Sequence, residues 1–381
     1  MIYLDFAATS KPSKEVLDVF LEVNTKFWAN PASLHDEGIK TEAVLQEARK
    51  NILQNFDTKK RYDLIFTSGA TESNNFIIKS VENLNKNGKK HIISSNIEHP
   101  SIREVLFYLQ KEGFYVEFLP VNQNGMISVE QIRNAVKNDT ILISIMHVNN
   151  EIGSINDVFE IAKAVKEKNR NIFFHSDFSQ SVGKLNTNLD DSEIDAVSFS
   201  GHKIQSVKGI GAAIFRKNVS LSPLLLGGAQ EFGLRAGTSN LAGAVALAKA
   251  VKTVIKTQKE NYEKVSRFQN VLFENLQNIP EIQINSPRNN SPFIINFSVK
   301  NLKSETILRA LSEKKIYVST VSACSSKKNN ESYVIKAITN NINRAKSSVR
   351  VSLSESLSEN DIFIFIDELK NIIENYSFTA R

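Results

Sequence analysis

The sequence predicts an α/β fold: a large domain on a mostly parallel sheet covered by helices, joined to a smaller α+β domain. Three observations predict it. Short β-branched or aromatic runs alternate with amphipathic stretches from about residue 60 to 215, the pattern of parallel strands linked by crossover helices. A loop cluster rich in Asn, Ser and Pro, from Pro280 to Pro292, follows a long helical pattern and marks a boundary. Beyond it, apolar runs near Phe293–Phe297, Ile316–Val318 and Val349–Leu353 suit a small mixed unit.

The expected strands, in order, are Leu64–Thr67, His91–Ser95, Tyr115–Leu119, Ile141–His147, Ile172–His175, Ala196–Phe199 and Ala212–Phe215. Between them, Ile102, Val105, Leu106 and Leu109 share one helical face, as do Ile155, Val158, Phe159, Ala162 and Val165. Leu241 to about Asn278 reads as a single long helical connector out of the large domain.

Composition sets outer limits. The 381 residues are 41% hydrophobic and 23% charged, which excludes wholesale disorder. A single cysteine, Cys324, excludes an internal disulfide and a Cys-rich metal site. It leaves a buried hydrophobe, a bystander or a reactive thiol. The net charge of +6 is spread along the chain. The segment Lys300 to Arg350 is basic; it reads first as a solvated lysine-rich face and more sharply as a dock for an acidic protein or RNA. Zinc-finger, RNP and helix-turn-helix patterns are absent, so no direct nucleic-acid binding is expected. The opening MIYLDFAATS lacks a basic segment leading into an apolar run, and mean hydropathy is −0.23. A cytoplasmic protein is the expectation.

In open α/β sheets ligands sit beyond the C-terminal ends of strands, so the residues following each run matter most. Ser68-Gly69-Ala70-Thr71 is a glycine turn opening a helix, suited either to an anion or to a plain cap. His99 before Pro100 could serve acid/base chemistry, ring stacking or structure alone. Asn149-Asn150-Glu151 reads as a turn rich in donors and acceptors. Asp177 ends a buried strand and needs a cation or donors to offset its desolvation. Lys203, just past Ser200-Gly201-His202, is a candidate for Schiff-base chemistry or an ordinary loop lysine. Each signal is weak alone. Together, a lysine, an aspartate, a histidine and phosphate-type donors around one crevice suit pyridoxal phosphate.

The ordered motifs make this specific. YLDFAATSKP, NPASLHDEG from Asn30, SGATESNN from Ser68, EHPS from Glu98 and HVNNEIG from His147 are followed by SFSGHK from Ser198. RAGTSN from Arg235, SACSS from Ser322 and SSVRVSL from Ser347 complete the series. Over nearly its whole length the chain resembles the cysteine desulfurases of the NifS/IscS type, class V aminotransferases with the fold type I pyridoxal phosphate architecture. The resemblance implies that residues 13–256 form the large cofactor domain, while 1–12 and 257–381 form the small domain carrying the Cys324 loop. It implies that Lys203 binds pyridoxal 5'-phosphate covalently, that His99 stacks on the ring and assists proton transfer, and that Asp177 pairs with the ring nitrogen. Gln180 would bond the phenolic oxygen. Thr71, Ser200 and His202 would form the phosphate cradle, with Thr238 reaching in from a second subunit of a homodimer, and Ala70, Gly201 and Asn150 would also contact the cofactor. Asn150 and Arg350 would hold the carboxylate of the substrate L-cysteine, and the Cys324 thiolate would take its sulfur as a persulfide, leaving L-alanine.

The sulfur would pass to an acceptor protein, an iron–sulfur scaffold or a tRNA thiolation enzyme. Ser325 to Asn330 is polar without apolar anchors, so a mobile loop is expected there. Two departures stand out: Ser206-Val207 where the family commonly has Gly-Pro, and Phe178-Ser179 where small residues are usual. Neither removes a required chemical group. The competing readings are another class V aminotransferase or a selenocysteine lyase in which Cys324 is incidental, and a non-catalytic binding subunit.

Overall fold

The computed structural model describes residues 1–80, 88, 90–320 and 331–379. Its strands are β1 (Ile2–Tyr3), β2 (Tyr62–Thr67), β3 (His91–Ser95), β4 (Tyr115–Leu119), β5 (Thr140–Ser144), β6 (Phe173–Asp177), β7 (Ala196–Ser200) and β8 (Gly211–Arg216). After them come β9 (Ile282–Ile284), β10 (Ile294–Val299), β11 (Ile316–Tyr317), β12 (Ser319–Thr320) and β13 (Ser348–Ser352). The large sheet runs β2-β8-β7-β6-β5-β3-β4. All neighbours from β7 to β4 pair in parallel; β8 alone runs against the rest, joined to β7 as a hairpin with Ser200 opposite Gly211.

These strands read as unbroken apolar runs because both faces of the sheet are covered. Successive side chains point to opposite faces. Ile93, Ile143 and Phe174 join a core under the helices Lys14–Lys26, Asp36–Asn55, Val158–Lys168 and Leu241–Lys256. Their neighbours Ile92, Leu142 and Phe173 pack instead against Phe76, Ile102 and Leu106 of the helices Ala70–Lys79 and Pro100–Lys111. A separate core surrounds β10 and β13, where Phe297, Val349 and Val351 meet the helices Gln258–Gln277, Ser304–Glu313 and Glu359–Thr379. A small apolar cluster joins Ile97 and Ile152 to Val334, Ile335 and Ile338.

Three expectations need correction. The long connector is two helices, Leu241–Lys256 and Gln258–Gln277, broken where Thr257 leaves helical geometry at φ −97° and ψ 5°. The strand expected to reach His147 ends at Ser144. The Met146 N–H is captured there by both carboxylate oxygens of Glu98, at 3.1 Å each, instead of by a neighbouring strand. Ile316–Val318 supplies only the two residues of β11, paired in parallel with β1.

Candidate active site

The ends of the parallel strands surround a cavity of about 550 Å³. At one end, β2 runs through Ser68 and Gly69 into the helix Ala70–Lys79. That helix has no side-chain cap, so its first N–H groups face outward as an anion site. Gly69 sits at φ 157° and ψ 177°, a region only glycine enters readily. A Cβ on Gly211 would lie 2.6 Å from the Gly69 Cα; the two glycines let the antiparallel strand start against the helix entrance. Ser200 and His202 line the same end. His202 contacts the Thr9 hydroxyl through Nδ1 at 3.2 Å. Burial, then Lys203 and Lys208, push its pKa down to about 4.

Further in, Lys203 Nζ donates to the carbonyls of Ala7 and Ala8, the latter at 2.8 Å. Asp177 is buried, with Oδ1 taking the Ser179 N–H at 2.8 Å and Oδ2 taking Asn74 Nδ2 at 2.9 Å. His99 caps the helix Pro100–Lys111, its Nδ1 accepting the Ser101 N–H at 3.2 Å. Burial lowers its pKa, with Lys203 and Arg350 adding to the effect and Asp177 opposing it. Lys184 donates to Gln180 Oε1 at 3.0 Å, which turns the Gln180 amide nitrogen toward Ala7 O, 3.0 Å away. Loss of surrounding water pulls Lys184 down to about 7.

At the far end, Arg350 on β13 is buried and donates through Nη2 to Asp5 Oδ1 at 2.8 Å and through Nη1 to the Asn150 carbonyl at 3.0 Å. Three polar atoms at this wall are buried without partners among the described residues: Arg350 Nε, Asn150 Oδ1 and Ser179 Oγ. Buried polar atoms are rarely left so unless something else meets them. The cavity also takes in Asp5, Glu151 and Tyr333, which carried no assigned role in the sequence.

Of the expected residues, Ala70, Thr71, His99, Asn150, Asp177, Gln180, Ser200, His202, Lys203 and Arg350 line this one cavity. Gly201 does not; it is buried behind the wall, its N–H spent on the Ile210 carbonyl at 3.0 Å. Thr238 is exposed and borders an adjacent hollow that shares Ser68 and Gly209. Its segment is tied to the anion end by Arg235 Nε, 2.9 Å from Glu72 Oε1, while Glu72 Oε2 takes the Ser68 N–H at 2.7 Å. Cys324 and the polar loop after it lie outside the described residues. Phe178 points away from the cavity, its ring centroid 5.0 Å from that of His147 within the core. Ser206 and Val207 are both buried, and the Ser206 N–H bonds the Gly201 carbonyl at 3.0 Å.

Sequence reasoning missed Asn74, Asp5 and Glu151. A signal existed for Asn74: it is a polar residue on a helix whose neighbours Phe76, Ile77 and Ile78 are apolar. Glu151 is buried and holds the Ser332 hydroxyl at 2.5 Å, and burial pushes its pKa up to about 7. Inside a turn motif it looked like a solvated carboxylate.

Comparison with known proteins agrees with this geometry. Residues 2–365 match the family model described as aminotransferase class-V. The chain is 38% identical over 375 residues to a protein named cysteine desulfurase IscS from Dictyoglomus turgidum, covering 98% of this chain and 94% of that one. A solved structure described as a NifS-like protein superposes with a TM-score of 0.90 at 33% identity, covering 99% of both chains. Another, described as SspA in complex with cysteine, gives 0.79 at 33% identity, covering 93% of this chain and 99% of that one. With the fold, the strand-end cavity and the full-length likeness in agreement, the chain belongs to the class V aminotransferase family, among the cysteine desulfurases of the NifS/IscS type.

Proposed function

We propose that this protein converts L-cysteine to L-alanine with pyridoxal 5'-phosphate bound in the cavity, and carries the removed sulfur as a persulfide on Cys324. The carrying observation is the order of groups along one cavity: an uncapped helix entrance, then Lys203 beside Asp177 and His99, then Arg350 with partnerless atoms around it. The donor set fits the cofactor: N–H groups for a phosphate, a held carboxylate for a protonated ring nitrogen, and an amine for an aldehyde. Bound there, pyridoxal phosphate supplies an electron sink for the charge left when the substrate Cα loses its proton.

The chain's own residues do the rest. Arg350 and Asn150 orient the substrate carboxylate, which places Cα toward the Lys203 end. Lys203 Nζ would take the Cα proton. His99 stays neutral because its ring is desolvated, and so is available to relay a proton. The Cys324 thiolate attacks the substrate sulfur; a sulfur–sulfur bond forms and the carbon–sulfur bond breaks. The electron pair of the broken bond stays with the substrate Cβ, which takes up a proton, and the proton held by Lys203 would return to Cα to give alanine.

In this reading residues 13–256 are the cofactor domain, and residues 1–12 with 257–381 bring Arg350 and Cys324 to it. The enzyme works as a cytoplasmic homodimer in which Thr238 reaches the partner's phosphate end. It hands sulfur to an iron–sulfur scaffold or a tRNA thiolation enzyme. The test is mass spectrometry of the cofactor-loaded protein after incubation with L-cysteine. One added sulfur on Cys324, with alanine formed, is expected, and Cys324→Ala should lose sulfide release while keeping the cofactor's yellow absorbance. Sulfide release that survives in Cys324→Ala would overturn the role of Cys324 and favour a lyase that does not use it.

A further inference from the structure

We infer that Asn74 is a positioning residue that sets the hydrogen-bonding state of Asp177 and His99 together, through one buried chain in which every donation runs the same way. The His99 Nδ1 accepts the Ser101 backbone N–H at 3.2 Å, so that nitrogen carries no hydrogen and the neutral ring holds its proton on Nε2. The Ser101 hydroxyl, 2.8 Å from the same Nδ1, must therefore donate to it. That leaves the Ser101 oxygen free to accept from Asn74 Nδ2 at 2.8 Å. The second hydrogen on Asn74 Nδ2 goes to Asp177 Oδ2 at 2.9 Å. A carboxylate only accepts, which fixes the amide's orientation and points Oδ1 at the Ser198 hydroxyl.

The direction continues upstream. Since the Ser198 hydroxyl donates to Asn74, its contact with His175 Nε2 at 3.1 Å must run from the ring N–H to the oxygen. His175 Nδ1 is then bare and takes the Ser144 hydroxyl at 2.9 Å. Asn74, Ser144, His175 and Ser198 are all completely buried, and burial pushes the His175 pKa down to about 4, keeping it neutral. Reversing any one link would set two hydrogens or two lone pairs face to face. A polar chain at this depth is costly compared with apolar packing. From Ser144 the donations run to two terminal acceptors, His99 and Asp177, and both are residues of the cavity wall, which is what a purely structural network would not need.

The inference rests on reading Asp177 and His99 as the groups facing the cofactor, but its test is read on the cofactor-free protein. Asn74→Leu keeps the volume and removes the amide. The Ser101 oxygen then loses its donor and can accept from a protonated His99 Nδ1, while Asp177, Lys203 and Arg350 still face the ring as before. Nuclear magnetic resonance of isotope-labelled histidine should show the His99 titration midpoint rising by on the order of one pH unit. Ser101→Ala, which deletes a donor to the neutral ring, should raise it as well and serves as the deciding variant should Asn74→Leu fail to fold. A midpoint that stays put or falls in either folded variant overturns the inference. Failure of the wild-type protein to bind pyridoxal phosphate would instead overturn the proposed function and leave this titration standing.

Discussion

Arg350 is paired within the protein itself, and that decides how it can treat a substrate. With Nη2 on Asp5 and Nη1 on the Asn150 carbonyl, the guanidinium is locked in one plane, and its Nε is the buried donor still unspent. Arg350→Lys keeps the charge but loses the planar fork. Hydrogen bonds to charged groups contribute about 1.5–3 kcal/mol, so KM for cysteine should rise by roughly 10- to 100-fold with kcat less affected. Steady-state kinetics decide it, and an unchanged KM would remove Arg350 from substrate binding. His147 is a second case. Burial among Phe159 and Phe178 pushes its pKa down to about 4, and its Nδ1 has no partner. The unfolded chain takes up a proton near the ordinary value of 6.5 that the folded protein refuses until about 4. This share of stability is thus whole above pH 6.5 and is lost as pH falls toward 4. In thermal melts, His147→Phe should gain on the wild type progressively over that interval; parallel curves would refute the assignment. At this scale the reactive groups were legible because Lys203, Asp177 and His99 sit at strand ends within recognisable motifs. Asn74 and Glu151 were not, because a polar residue in a helix start or a turn looks like a cap until its burial is known.

Among elements, the stretch from Leu225 to Ser239 is held by two ion pairs, Arg235–Glu72 and Arg49–Glu231, of which the second is the more deeply buried. Glu231 and Phe232 hold positive φ angles of 49° and 61°, which side chains other than glycine adopt at a cost. Opposing that strain, Glu231 receives Arg49 Nη1 at 2.8 Å, Nη2 at 3.1 Å and the Phe66 N–H at 2.9 Å, all buried. Glu231→Gln would leave the Arg49 charge buried and unmatched, a loss of about 3–5 kcal/mol in comparable pairs. A clearly lower melting temperature and new proteolytic cleavage between 225 and 239 are the expected outcomes; a variant that melts with the wild type would show that the pair is not what holds the segment. Strands were the most readable elements, since burial on both faces writes a continuous apolar run. The break at Thr257 was hidden, because the apolar spacing carries on across it and a threonine is no obligatory stop. The end of β5 was hidden for another reason: the group that terminates it is a carboxylate supplied by Glu98, 48 residues earlier.

For the molecule as a whole, the proposed homodimer has a candidate contact surface. Trp28, Leu34 and Leu226 are 78%, 94% and 85% exposed, large values for apolar side chains. The segments carrying them are neighbours, since one hollow is lined by Asn30, Pro31 and Ala32 together with Ala229 and Phe232. The segment of Leu226 also bears Thr238. Leu226→Glu should shift the protein from dimer toward monomer in sedimentation and weaken cofactor retention at the same time. A wild type that sediments as a monomer would end this reading. The homodimer was expected from the family resemblance around Thr238, but the exposed apolar side chains were not legible, because in a sequence a surface apolar residue looks like one destined for the core. The whole also joins distant parts of the chain: Asp5 meets Arg350 across 345 positions, whereas the groups proposed to face the cofactor from within one chain are gathered between Ser68 and Lys203. Synthesis delivers these in sequence, and N-terminal parts fold first. The growing chain therefore passes through a stage that has Lys203, Asp177, His99 and Asn150 but lacks Arg350, the charged half of the proposed carboxylate grip. In the proposed reaction, order of synthesis thus supplies the thiol at position 324 before the arginine that completes the hold on the substrate.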